Sequence, residues 1–516
     1  MKANSLLVIM LLISFSCVTD NNLPEKTGTI WYPYIEWEVV NSTFSGNPFD
    51  IVANVHFQHK KSKISHFTQM FYCGDSVWRF RFTGTEIGMW DFITESVDPD
   101  LDGLKGDVLI TENSNQEAHG FLTNFDSKWG WEGTEKPFVP QLVMLDYIME
   151  SKSPKAYYKS PELIENKLDL FINKHGFNGF HVPAIAGWWF NFDSPDNQVK
   201  PTMQHPDFRT FEALELLITK VHQAGGMVHI WLWGDDQRSQ TPLRLKGKKG
   251  GVEDRRLQRY IASRLGPVPG WSLGYGFDLD EWVTAYQLST WRDSMHSYMG
   301  WHHFVGGRPE GPNRGVDHTK DAKWNKRLDY SSYEHHRPTY KVYVNSIEAI
   351  PGKPVLSEDR FRIRNEKRYK GKDYTEELVR RGVYQSTMAG GVGNIWGLSP
   401  QLEPGGVFLN KKWIKTWSVF FDKKNRFLKD MKRANNLSTD DNTYIILSEG
   451  ANSLVLYRED ANTVQIDLSS LQKKQPAIMV DTKREYYEIN FGDLTAKSQI
   501  IKFPYLSDWI VAIGEF

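Results

Sequence analysis

The feature that most constrains the fold is a change of hydrophobic period near residue 119. From there to about residue 433, short apolar runs alternate with amphipathic helical segments, which is the pattern of a parallel β-sheet with helical connections. Eight runs over about 300 residues predict a (β/α)8 TIM barrel. A doubly wound sheet is the alternative, but no glycine-rich phosphate loop follows the first run. The predicted strands are 138–145, 177–185, 227–233, 269–276, 302–307, 328–334, 353–358 and 391–397.

One helix between these strands carries its own start and stop signals. Asp207 can cap its N-terminus, and Gly225 can end it in the left-handed conformation. Between them the apolar residues follow the helical period: Phe208, Phe211, Leu214, Ile218 and Val221.

The segments on either side of the barrel read as short strands with no helical period. Between 29 and 118, the run Trp78–Phe82 places aromatic residues on one face and arginines on the other. The strand pattern returns over 434–516. We therefore predict a multidomain chain with an N-terminal β-sandwich (29–118), a central barrel (119–433) and a small C-terminal β-sandwich (434–516).

The N-terminus has the layout of a secretory signal. Lys2 precedes the apolar run Leu6–Ile13, which is too short to be a permanent membrane span, so 1–16 is the predicted signal peptide and 17–28 a linker. Cys17 follows a small residue and resembles the lipid-carrying cysteine of bacterial lipoproteins. This implies export and a lipid anchor in the outer membrane. The alternative is an ordinary signal peptide with a chance cysteine.

The amino-acid composition of the chain limits the kinds of molecule that it is expected to bind. The net charge of −1 gives no global field that would attract nucleic acid. With 19 Trp, 22 Tyr and 29 Phe, the chain has many aromatic faces on which sugar rings can pack, although aromatics also fill β-sandwich cores. The sequence has no Cys-x-x-Cys, His-Glu-x-x-His or Gly-x-Ser-x-Gly motif, so no metal or cofactor is expected.

Function in such barrels collects where the strands end at their carboxyl side. One polar residue there means little, because a lone histidine at a strand end is more often a structural hydrogen-bonding group. The collective signal is stronger. The candidate substrate-binding residues on this rim are His181, Trp231, Asp235, Arg308, His335, Arg360 and Trp396.

Three motifs carry a family resemblance: Lys353–Glu358, Gly390–Gly397 and Trp78–Phe92. They resemble retaining glycoside hydrolases with (β/α)8 barrels, some of which carry an N-terminal sandwich domain. In that family the nucleophilic Glu closes strand seven and the acid/base closes strand four. The resemblance implies that Glu358 is the nucleophile. The alternative is a structural carboxylate paired with Arg360.

The fourth predicted strand departs from the family pattern. Tyr275 and Gly276 stand where Asn-Glu is expected. Asp278 lies two residues further on and is the first candidate for the acid/base, with helix capping ahead of Trp282, by Asp278 or Asp280, as the alternative. Further candidates for the acid are Glu281, Asp235 and Asp236.

Arginines follow the predicted nucleophile. Arg360, Arg362 and Arg364 would share one face if extended, and Arg308, Arg314 and Arg337 come from other rim loops. Guanidinium groups form paired hydrogen bonds with carboxylate and sulfate, which favours a uronic or sulfated sugar as substrate. The alternative is that these arginines form a solvated charged surface without a binding role.

The predicted function is retaining hydrolysis of a plant or algal polysaccharide. A glycan-binding lipoprotein with a degenerate barrel is the rival.

Overall fold

The computed structural model describes residues 21–115, 117–145, 162–183, 189–190, 199, 205–308, 324–335, 339–362 and 375–397, and 412–516, with the backbone alone for 359–362. The predicted signal peptide and Cys17 lie outside these residues. Among the described helices, none combines the length and the apolar character needed to cross a membrane.

Two sheets face each other in the N-terminal region. Their facing side chains form an aromatic core in which Trp37 stacks on Phe80 at 5.1 Å and contacts Phe92 edge-on at 5.0 Å. Strand Lys26–Thr29 overlaps the end of the predicted linker and pairs in parallel with Lys105–Thr111. In spatial order the five-stranded sheet is Lys26–Thr29, Lys105–Thr111, Gly88–Ser96, Ala53–His59 and Ser65–Gln69, and the three-stranded sheet is Ile35–Val40, Val77–Phe82 and Phe71–Tyr72.

A small antiparallel sheet closes the N-terminal end of the barrel. Its strands are Leu122–Phe125, Lys128–Trp131 and Pro137–Phe138. Trp129 reaches from it toward the barrel, where its indole N–H donates to the carbonyl of Val355 at 3.0 Å. Phe138, predicted to begin the first barrel strand, belongs to this small sheet, and the barrel strand begins at Gln141.

Eight parallel strands form the central sheet, and each of the eight predicted runs overlaps one of them. They are β1 Gln141–Met144, β2 Gly179–Pro183, β3 Met227–Trp231, β4 Trp271–Gly274, β5 Val305–Gly306, β6 Ser331–Tyr333, β7 Val355–Arg362 and β8 Gly393–Gly397. Their order is 5-4-3-2-1-8-7-6, the cyclic sequence of a barrel rather than of a doubly wound sheet. Between β5 and β6, Asp329 N–H donates to the Val305 carbonyl at 3.0 Å, so the sheet nearly closes.

Helices cover the outside of this sheet. The described ones are α1 Glu162–Lys167, α2 Phe208–Gln223, α3 Val252–Leu265, α4 Ala285–Tyr298, α5 Tyr340–Ala349, α6 Glu376–Met388 and α7 Lys412–Ser418, with π-helical turns Leu168–Lys174 and Val419–Lys423 after α1 and α7. The predicted signals of α2 are confirmed. The side chain of Asp207 accepts a hydrogen bond from Arg209 N–H at 3.1 Å, and Gly225 follows the helix at φ 82°.

The C-terminal region is one continuous antiparallel sheet, where two packed sheets were predicted. Its strands in spatial order are Lys432–Arg433, Thr443–Leu447, Ser453–Asp467, Ser498–Gly514, Gln475–Asp481 and Ile489–Leu494. Register shifts between Arg458 and Thr463 interrupt the pairing of the two long strands. The shifts bend the strands, so a single sheet can enclose a core around Trp509 and still pack its other face on the barrel.

Candidate active site

Glu358 lies on β7 at a break in the ladder. The pairing of β7 with β8 shifts register between Ser357 and Arg360, which leaves Glu358 and Asp359 as extra residues. The sequence predicts a strand ending at Glu358, whereas β7 continues to Arg362 beyond this bulge. Bulges bend a strand and re-aim its side chains, and they are common beside active sites. The bulge allows the Glu358 side chain to lie inside the barrel, where it is fully buried.

Both carboxylate oxygens of Glu358 accept a hydrogen bond. Trp231 on β3 donates its indole N–H to Oε2 at 2.6 Å, and the hydroxyl of Tyr330 donates to Oε1 at 2.7 Å. Burial raises the pKa of Glu358, while these two donors and the charge of Arg308 pull in the opposite direction without cancelling the effect. The carboxylate therefore occupies a dry and polar pocket in which each donor favours its ionised form.

Two histidines continue this network. His229 on β3 lies 2.9 Å from the Tyr330 hydroxyl through Nε2 and 2.8 Å from His181 Nδ1 through Nδ1. Burial lowers the pKa of His229 to about 3, so this imidazole is neutral near pH 7. Its 3.7 Å approach to Glu358 is therefore a contact with a neutral ring and not an ion pair.

Tyr330 contacts Glu358 directly, and it is not among the candidates chosen from the sequence. It precedes β6, at the end of the strand opposite the rim, and reaches Glu358 only because its side chain is long. Rules that select residues at carboxyl ends of strands pass over such a position. The available signal was a tyrosine near the start of the predicted strand 328–334.

Arg308 follows β5 and joins three parts of the rim. Its guanidinium lies 2.6 Å from Asp278 and 3.0 Å from Glu334, and Nη1 donates to the main-chain carbonyl of Glu358 at 3.3 Å. The same group lies over the ring of Trp231 at 5.4 Å. Since Arg308 is 2% exposed, its charge is balanced largely by these two carboxylates.

Asp278 follows β4 in a left-handed conformation, with φ 50°. Its side chain does not cap the short helix Leu279–Glu281, so the capping alternative for this residue is not what the structure shows. Instead, Asp278 binds Arg308, and its side chain stays 24% exposed. A left-handed conformation in a non-glycine residue stores strain, which is often found at functional sites.

The other candidate acids form hydrogen bonds with the loop after β3. Asp235 is buried and accepts a hydrogen bond from Arg238 N–H at 2.8 Å. Asp236 accepts one from the Thr241 hydroxyl at 3.1 Å, and Glu281 accepts one from the main-chain N–H of Asp236 at 3.3 Å. These contacts stabilise the loop after β3.

The remaining candidates are divided between core and rim. Trp396 is fully buried and donates its indole N–H to Gln141 Oε1 at 2.7 Å, so it joins β8 to β1. His335 is half-buried after β6. Arg360 and Arg362 lie in the extended backbone of β7, beyond the predicted end of the strand, and their side chains lie outside the described part of the molecule. So do Arg314, His336, Arg337 and Arg364.

Two groups in the described residues have the side chains of a cation site: His296, His302 and Asp329, and Glu377, Asp460 and Asp508. Arginines already occupy both. Arg292 binds Asp329 at 2.5 Å, and Arg380 binds Asp508 at 2.6 Å. A guanidinium in this position supplies the positive charge that a metal ion would otherwise bring.

Comparisons with known proteins support the fold. A family model for a domain of unknown function, DUF5060, matches residues 32–97, within the N-terminal sheets. No curated protein matches the chain. A structure from Bacteroides vulgatus ATCC 8482, provisionally described as a glycoside hydrolase, superposes with a TM-score of 0.70 at 15% identity, over 96% of this chain and 100% of that one.

Two further structures superpose on most of this chain. One is described as a glycoside hydrolase family 5 protein from the same strain, with a TM-score of 0.55, 14% identity and coverage of 77% of this chain and 93% of its own. The other is described as a glycoside hydrolase, with a TM-score of 0.54, 13% identity and coverage of 77% and 96%. At these identities the likeness establishes a common fold.

Proposed function

We propose that this chain is a glycoside hydrolase that acts by retaining double displacement, with Glu358 as nucleophile. The observation that carries the proposal is a carboxylate at a bulge of β7, with each oxygen bound to a separate donor, Trp231 and Tyr330. The donors fix the direction in which the carboxylate points. The fold is also that of structures described as glycoside hydrolases.

In this mechanism Glu358 attacks the anomeric carbon while the bond to the leaving oxygen breaks. Asp278 gives that oxygen its proton and later takes one from the water that releases the sugar from Glu358. Such a pair lies ~5–5.5 Å apart. Asp278 is the choice for the acid because it follows β4 closely, is partly exposed, and binds the same Arg308 that contacts the backbone of Glu358.

The proposed substrate is a plant or algal polysaccharide or its fragments, with uronic and sulfated sugars as leading candidates. Arg308 is already engaged by Asp278 and Glu334, so recognition of an acidic substituent falls to Arg360 and Arg362 beyond the bulge. Export and a lipid anchor at Cys17 in the outer membrane complete the proposal.

Glu358→Gln tests the nucleophile, because it retains shape and removes the attacking oxygen. We expect a folded variant that binds glycan and does not turn it over. The matched control is Glu281→Gln, which changes an exposed carboxylate beyond β4 and should retain activity. Full hydrolysis by Glu358→Gln on a panel of neutral, uronic and sulfated glycans would reject the assignment.

Asp278→Ala tests the acid. Natural glycosides need a proton on the leaving oxygen, so their cleavage should fall steeply, whereas activated aryl glycosides should retain their first step. Azide should then accelerate the second step by replacing water. If Asp278→Ala cleaves natural glycan as well as the wild type, the acid is another carboxylate.

A glycan-binding protein is the second candidate. Two observations favour it: Tyr275 and Gly276 replace the Asn-Glu expected after β4, and Glu358 has no exposed surface. Binding of a glycan in calorimetry, without cleavage of any member of the panel by the wild type, would establish this function instead.

A further inference from the structure

Four side chains form one hydrogen-bonded line through the barrel, from β2 to β7. His181 contacts His229 at 2.8 Å, His229 contacts Tyr330 at 2.9 Å, and Tyr330 donates to Glu358 at 2.7 Å. All four side chains are fully buried. Because bulk water does not compete at these contacts, the number of protons on each group fixes the direction of each bond.

The directions follow from the carboxylate end. An ionised Glu358 only accepts, so the single proton of the Tyr330 hydroxyl points to it. The tyrosine oxygen must then accept from His229, which places the proton of that neutral ring on Nε2. Its Nδ1 is left as an acceptor, and the proton of that bond is carried by His181 Nδ1.

The opposite arrangement would remove the donor from Glu358. If His229 carried its proton on Nδ1, its Nε2 would attract the tyrosine proton away from the carboxylate. His181 contributes to the choice between the two states, because a proton on its own Nδ1 keeps His229 Nδ1 as the acceptor. A hydrogen bond at one ring nitrogen sets the tautomer of an imidazole in this way.

We propose that His181 is a positioning residue that locks His229 in its Nε2–H tautomer and so directs the Tyr330 proton to Glu358. The consequence for activity depends on the proposed role of Glu358 as nucleophile. Chosen from the sequence as a sugar contact, His181 instead lies buried and acts through two other side chains.

The pKa of Glu358 depends on the charged and titratable groups that face it. Among the described residues, the titratable or charged groups that face Glu358 are His229 from β3, Arg308 from beyond β5 and Tyr330 from before β6. Burial raises the pKa of this carboxyl, so each donor that stabilises its ionised form counts. Without the tyrosine proton, the acid limb of kcat/KM should move upward by about one pH unit.

The first experiment needs no turnover. In wild-type protein with isotope-labelled histidine, nitrogen NMR near neutral pH should show His229 neutral and protonated on Nε2. In His181→Asp a carboxylate that accepts hydrogen bonds faces His229 Nδ1, so we expect the His229 signal to shift toward the Nδ1–H tautomer. A wild-type His229 protonated on Nδ1 would overturn the proposal, whatever the chain does to glycans.

The second experiment measures pH dependence. His181→Asp should raise the acid limb of kcat/KM by about one unit, whereas His181→Asn should stay close to wild type, because the Asn amide can donate from the position of Nδ1–H. Equal limbs in wild type and His181→Asp would refute the lock. If no glycan is cleaved, the proposed function fails, and carbon NMR titration of Glu358 in the same variants still decides the lock.

Discussion

A buried ion cluster joins the N-terminal sheets to the barrel and provides a sharp test of the architecture. Arg81, from strand Val77–Phe82, lies 2.9 Å from Glu215 on α2, and Arg264 on α3 binds the same carboxylate. The three side chains are 3%, 9% and 3% exposed. Burial alone raises the pKa of Glu215, but the two arginines leave it below its usual value.

Glu215→Gln retains the shape of the side chain and removes the negative charge between two guanidinium groups. Breaking a buried pair by removing one partner costs about 3–5 kcal/mol. Arg81 retains Glu36 at 2.7 Å, so the lower end of that range, about 3 kcal/mol, is expected. Because the folded pKa of Glu215 is lowered, its contribution is present above the unfolded pKa and is lost as the pH falls through the folded pKa.

The assay is urea unfolding followed by tryptophan fluorescence, with Glu38→Gln as control. Glu38 pairs with Arg79 at 3.0 Å on the same N-terminal strands, but the pair is 51% and 37% exposed, so its loss should cost less than about 1 kcal/mol. The difference between wild type and Glu215→Gln should shrink in acid. Equal losses of unfolding free energy for the two variants would refute the buried-cluster argument.

Three further predictions concern the site and the anchor. Trp231→Phe retains the ring but removes the N–H donor to Glu358, so the acid limb of kcat/KM should rise by about one pH unit; an unchanged limb contradicts this. Arg360→Ala should raise KM for acidic glycans, and salt should weaken their binding to wild type; equal processing of neutral glycan argues against it. Cys17→Ser should move the protein from membrane to soluble fractions, and labelled fatty acid should be absent from the variant only.

The barrel strands could be predicted because their signals are local. Apolar runs long enough for a strand, separated by capped helices, locate all eight within a few residues. The predictions differ from the structure where strand pairing, and not the local sequence, decides which sheet a residue joins. Phe138 is apolar and adjacent to a run, yet it pairs with Trp129 in the small sheet. The C-terminal strands were recognisable one by one, but whether they form one sheet or two depends on register shifts that no local pattern encodes.

The site was predictable in part for the same reason. Glu358 stands at a change from apolar to polar residues, which marks a strand end in the sequence. The bulge that carries β7 on to Arg362 depends on its pairing with β8, and Tyr330 reaches the carboxylate from the start of the neighbouring strand β6. Both are tertiary effects. The line from His181 to Glu358 likewise joins residues far apart in sequence, and only the closed sheet brings them together.

Arg308 connects the proposed acid, Asp278, to the backbone of the proposed nucleophile, Glu358. One planar guanidinium contacts Asp278, Glu334 and the backbone of Glu358, so the spacing between the β4 side and the β7 side of the rim depends on a rigid group. Retaining chemistry needs a spacing of ~5–5.5 Å between its carboxyl groups. A lysine would supply the charge without the fork, and it could not hold three acceptors in a fixed plane. The absence of Asn-Glu after β4 therefore need not imply a lost acid, because this arginine offers another way to fix a carboxylate beside the nucleophile.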